Sequence, residues 1–125
     1  MITPENATEM FDEFKKKEKF LAQPYPNFYP ELTDKDLRST LNSKINEVAE
    51  YFLQVAKSEH PTEEKYHKAI EYGLSSFNDL YISLDSEELD RIGAYFEELM
   101  DIVDLESSGG QLNNWRYGFD PTEKK

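Results

Sequence analysis

Apolar residues recur three and four positions apart along four stretches of this chain. Ala7, Met10, Phe11, Phe14 and Leu21 form the first set. Leu37, Leu41, Ile45, Val48, Phe52 and Val55 form the second, thickened by Ala49 and Ala56. Tyr66, Ala69, Ile70, Leu74, Phe77, Leu80 and Tyr81 form the third. Leu89, Ile92, Tyr95, Phe96, Leu99, Met100, Ile102, Val103 and Leu105 form the fourth. That spacing puts each set on one face of a helix. The pattern predicts helices over about residues 4–22, 34–58, 63–81 and 86–105.

Boundary chemistry agrees with this reading. Thr3-Pro4-Glu5 offers a cap, a proline at the first helical position and an acidic first turn. Lys15, Lys16, Lys17 and Lys19 fall late in the first helix, where cations suit the dipole. Thr33-Asp34-Lys35-Asp36 caps the second helix, and Thr62 caps the third after Pro61. Asp85-Ser86-Glu87-Glu88 reads as an acidic capping box for the fourth. Gly73 lies beside the third stripe. It lowers helix propensity by about 1 kcal/mol against Ala, which points to a close helix–helix approach.

Two segments break the helical pattern. Gln23-Pro24-Tyr25-Pro26-Asn27-Phe28-Tyr29-Pro30 is too rich in proline for a helix and reads as an extended strap pinned by its rings. Its Pro24-x-Pro26 spacing is not the PxxP that proline-recognising grooves prefer. Gly109-Gly110 closes the fourth helix. The tail over residues 106–125 is then expected to be non-helical, yet it carries Leu112, Trp115, Tyr117 and Phe119. A disordered tail is poor in such residues, so this one is expected to pack on the helices or meet a partner. Strand-like alternation and internal repeats are absent. The expected fold is all-α: one domain over residues 1–125, an antiparallel bundle of four main helices carrying the strap and the aromatic tail.

Charge narrows the function classes. The chain carries 26 acidic and 14 basic residues, a net charge of −12. Residues 1–60 hold 11 acidic and 8 basic; residues 61–125 hold 15 and 6. A field of this sign repels nucleic-acid backbones and anionic membranes, and favours a basic protein partner. There is no cysteine, hence no disulfide, thiol nucleophile or thiolate metal site. The first residues lack a signal-peptide pattern, and no stretch approaches the roughly 20 apolar residues of a membrane helix. A soluble cytoplasmic protein is expected.

Candidate chemistry is sparse. Glu64 and His67 match the Glu-x-x-His pair of di-iron bundles, but the second pair that such a site needs is missing. They read as residues of a first helical turn. Glu97, Glu98, Asp101 and Asp104 form an acidic ridge on the fourth helix, better suited to docking than to holding an ion. Ser107-Ser108-Gly109-Gly110 lacks the flanks of a nucleophile elbow, and no phosphate-binding glycine loop occurs. Arg116, between Trp115 and Tyr117, is placed to stack on a ring or to pair with the ridge.

The run from Tyr95 to Val103, followed by Leu105-Glu106-Ser107-Ser108-Gly109-Gly110-Gln111-Leu112-Asn113-Asn114-Trp115 and Tyr117-Gly118-Phe119, resembles a small uncharacterised bacterial family, the domain of unknown function numbered 4844. The resemblance is strongest over the last third of the chain. It implies a small, mostly helical bacterial protein and supplies no catalytic residue. The leading expectation is therefore a non-enzymatic, acidic protein-binding module, one version being an immunity-like protein that masks a basic partner. Its contact residues would be Glu97, Glu98, Asp101, Asp104, Trp115 and Arg116. The alternative is a small-molecule binder with a pocket between bundle and tail, lined by Tyr25, Trp115 and Tyr117. No cofactor, metal or catalytic residue is assigned, and the oligomeric state stays open.

Overall fold

The structure, a computed structural model, describes residues 1–21 and 34–118. The proline-rich strap with Tyr25, and Phe119 with the rest of the tail beyond it, lie outside the described residues. Every regular element within them is helical: α1 (Ala7–Lys16), α2 (Lys35–Lys57), α3 (Glu63–Ser75), a short 3-10 helix (Tyr81–Ser83), α4 (Ser86–Ile102) and α5 (Gln111–Tyr117). Their inward faces share one apolar core, with Phe11, Ile45, Val48, Phe52, Ile70, Phe77, Ile92, Phe96 and Leu99 removed from solvent.

Helix α1 is shorter than the predicted 4–22. It starts after Asn6, not Thr3, and stops at Lys16, where Lys17 turns to extended backbone. The stop has a tertiary cause. Lys19 folds back, and its Nζ donates to Phe14 O at 2.7 Å, Lys17 O at 2.9 Å and Asn46 Oδ1 at 2.8 Å. The cation thus serves the carbonyl end of the helix, but from outside it and fully buried. Burial first, and repulsion from Lys17 second, lower its pKa to about 8. Phe20 follows with a left-handed φ of 64°. Its N–H donates to the buried Tyr95 hydroxyl at 2.9 Å.

Helices α2 and α3 run in opposite directions. Lys44 meets Ser76, Val48 meets Gly73 and Phe52 meets Tyr66, so position rises along one helix as it falls along the other. At Gly73 the helices come close together. A Cβ built there would lie 2.8 Å from Val48 Cγ2 and 3.0 Å from the Phe96 ring. The third helix does not reach residue 81 as the pattern predicts. Ser76 Oγ donates to Gly73 O at 2.6 Å and Lys44 Nζ donates to Ser76 O at 2.8 Å. These bonds occupy carbonyls that a continuing helix would use.

Helix α4 begins with a capping box, in which Asp85 N–H donates to Glu88 Oε1 at 3.3 Å. It ends three residues before the predicted 105, in a Schellman turn. Leu105 N–H reaches Met100 O at 2.9 Å and Asp104 N–H reaches Asp101 O at 3.2 Å. Asp104 takes the left-handed position, φ 56°, that glycine usually fills.

The expectation of a non-helical tail is corrected: Gln111–Tyr117 form α5. Gly109 and Gly110, at φ 70° and 82°, redirect the chain, and the helical pattern restarts. The Ser108 hydroxyl accepts from Leu112 N–H at 3.3 Å, serving an amide of the first turn that has no partner within the helix. Seven residues are too few to hold a helix by propensity alone. Packing of Leu112 and Trp115 on the core supplies the rest.

Candidate functional site

The acidic ridge lies on the last two turns of α4 and the turn after it. Its members have different surroundings. Glu97, Asp101 and Asp104 are exposed and make no ion pair among the described residues. Glu98 is half-buried, and its Oε1 accepts from Lys17 Nζ at 2.7 Å. Lys17 also stands 5.4 Å from the centre of the Phe14 ring. Glu98 is therefore partly neutralised by Lys17, just after α1, whereas the other three carboxylates remain open.

Two clefts border the ridge. One, of about 370 Å³, opens between α1 and α4 and is lined by Met10, Phe14, Lys17, Glu98, Asp101 and Ile102, with Glu13 at its edge. The other, of about 350 Å³, separates α4 from the turn leading to α5. Glu97, Asp101 and Glu106 line that second cleft, with Met100, Leu105 and Leu112 supplying its apolar part. Asp101 belongs to both.

The turn beside the second cleft is held by His67 of α3. His67 Nε2 lies 2.8 Å from Ser107 O, and Glu63 Oε1 is 3.6 Å away. Gln111 Nε2 donates to His67 O at 2.9 Å and to Ser108 O at 3.2 Å. Gly109 sits against the imidazole, so close that a Cβ would meet Cε1 at 3.2 Å. His67 thus fastens the turn to α3. This bracing is absent from the sequence reading, which sees only the spacing of Glu64 and His67.

Trp115 and Arg116 are turned to separate tasks. The Trp115 ring stands edge-on to Tyr81, with centroids 5.1 Å apart, and to Phe77 at 6.3 Å. Its Nε1 is buried without a hydrogen-bond partner among the described residues. Arg116 does not pair with the ridge. Its Nε donates to Asp90 Oδ1 at 2.7 Å, one turn into α4, and its guanidinium lies 4.9 Å from the Tyr117 ring centre. That hydrogen bond to Asp90 raises the Arg116 pKa further. Asp90 is nearer because α5 folds back along α4, an arrangement no local pattern announces. Tyr117 is exposed, and neither it nor Trp115 lines the clefts described here.

Among the described residues, the trio of carboxylates close enough to share an ion is Asp85, Glu87 and Glu88, where Glu88 already serves the capping box. No helix of the described residues is long and apolar enough to cross a membrane.

The fold has a solved counterpart. The crystal structure of a DUF3571 family protein from Acinetobacter baumannii AYE is similar, with a TM-score of 0.80 and 29% sequence identity over 90% of this chain and 89% of that one. No curated protein matches the sequence. The model of one family, described as Domain of unknown function (DUF4844), matches residues 2–120, and the chain belongs to that family.

Proposed function

We propose that this chain is a non-enzymatic cytoplasmic binding module whose acidic α4–α5 face masks a basic protein, in the manner of an immunity protein. The observation that carries the reading is Asp104. It keeps a carboxylate at a left-handed position where glycine would be less strained. It is exposed and has no ion pair among the described residues. Beside it, Glu97, Asp101 and Glu106 present three more carboxylates around a mostly polar cleft. Left-handed non-glycine positions cluster at functional sites, although aspartate adopts them more readily than most residues. A net charge of −12 accelerates encounter with a basic partner.

In this proposal α1 to α4 form an antiparallel bundle with the aromatic tail packed on it. The opposed α2–α3 pair and the Trp115 contacts with Phe77 and Tyr81 support that arrangement. Glu98 and Arg116 contribute less to binding than the sequence suggests, because Lys17 and Asp90 already engage them. The test is co-purification from the native host with the wild type and with a Glu97→Gln/Asp101→Asn/Asp104→Asn variant. A stoichiometric basic protein lost from the variant supports the proposal. A partner retained equally by both forms refutes it.

A further inference from the structure

The geometry points to a second binding site, between α2 and α3, for a carboxylate carried on a short alkyl chain. The groove there has a volume of about 370 Å³, within the range of small-ligand pockets. Val55 and Ala69 lie at its floor, Tyr51 and Tyr72 at one end, and Lys65 and Lys68 line its α3 side. Tyr72 is 70% exposed and Tyr51 40%, so the groove opens to solvent beside two rings.

Charge identifies the occupant. Each of the other clefts described among these residues has a carboxylate in its lining: Glu13, Glu98 and Asp101 in one, Glu97, Asp101 and Glu106 in the next, Glu18 in a smaller one beside Lys19. The α2–α3 groove has none, and its charged lining residues are two lysines on a chain of net charge −12. Lys65 Nζ is steadied by His60 O at 2.7 Å. Lys68 has no hydrogen bond or ion pair among the described residues, so its ammonium is available. An apolar trough with a free cation at its wall suits an amphipathic anion: the chain lies along Val55 and Ala69, and the carboxylate meets Lys68. Residues 51–58 rise roughly 10 Å along α2 at the helical pitch, which sets the length of chain the trough holds. The site shares no residue with the acidic face, so it stands or falls independently of the masking function.

Calorimetric titration of the full chain with octanoate below its micellar concentration tests the assignment. Octanoate is expected to bind, and hexanoate to bind more weakly, by up to about fifteenfold for its two missing methylenes. Octylamine is expected not to bind. Lys68→Glu and Tyr72→Glu alter exposed side chains and leave the core intact. Each is expected to weaken octanoate about five- to tenfold or more. The assignment is overturned if octanoate gives no binding at millimolar concentration, if octylamine binds as well, or if neither substitution changes the affinity.

Discussion

Two glycines make opposite demands on the same substitution. Gly73→Ala gains about 1 kcal/mol of helix propensity. Against that, the new methyl carbon would lie 2.8 Å from Val48 Cγ2 and 3.0 Å from two atoms of the Phe96 ring. Val48 and Phe96 are both fully buried, and Val48 is β-branched, so neither yields by a simple rotation. Overpacking of a tight core costs about 1–3 kcal/mol, and two clashing neighbours place this case in the upper half. The net expectation is a loss of about 1–2 kcal/mol. Gly93, in α4, has nothing within 4 Å of the position a Cβ would take. Gly93→Ala therefore keeps the whole propensity gain, a stabilisation of about 1 kcal/mol. The two variants should melt about 10 °C apart for a chain of this size. Urea unfolding of both, with m-values compared, is the assay. Adding Val48→Ala should relieve the clash and give a favourable coupling of about 1 kcal/mol with Gly73→Ala. A Gly73→Ala protein as stable as Gly93→Ala would refute the close approach of α3 to α2 and α4.

Three further outcomes follow from named contacts. Asp104→Gly removes a left-handed aspartate and is expected to raise the unfolding free energy by about 0.5–1 kcal/mol while weakening partner binding, an exchange checked by melting and pull-down together. Lys19 titrates near pH 8 in the folded protein against its ordinary 10.5, so the penalty for burying its charge is complete below pH 8 and is relieved as pH climbs to 10.5. Against Lys19→Met, the wild type should gain up to about 3 kcal/mol over that window, read from urea midpoints at several pH values; a constant difference would contradict the buried ammonium. His67→Ala frees the turn at Ser107 and should cost about 1–2 kcal/mol and shift the emission of Trp115, whereas an unchanged spectrum would deny that His67 fastens α5.

The long helices were legible because their signals are local. Leu41, Ile45, Val48 and Phe52 repeat on one face and are buried together. Asp34 and Thr62 accept from amides three residues on, Leu37 and Lys65. Gly73 announced a close contact, though not with which side chains. What escaped the sequence depends on distant partners. The lysines after Phe14 suggest a longer helix, whereas Lys19 ends it by reaching Asn46 of α2. Gly109-Gly110 reads as a terminator, and in space it is a redirection that brings a second short helix against Phe77 and Tyr81. On the candidate face, the identity of the exposed acids was visible, but the pairing of Glu98 with Lys17 and of Arg116 with Asp90 was not. The α2–α3 groove was also hidden, because its walls come from two helices whose relative register no single pattern encodes.

The proposed masking of a basic protein rests on open carboxylates at the end of α4, and a direct binding measurement tests it best. With the co-purifying protein in hand, its affinity is measured for the wild type, for Glu98→Gln and for the Glu97→Gln/Asp101→Asn/Asp104→Asn variant, at low and moderate salt. The account predicts a salt-sensitive affinity that falls at least tenfold in the triple variant and much less in Glu98→Gln. Equal affinities in all three proteins, indifferent to salt, would contradict it.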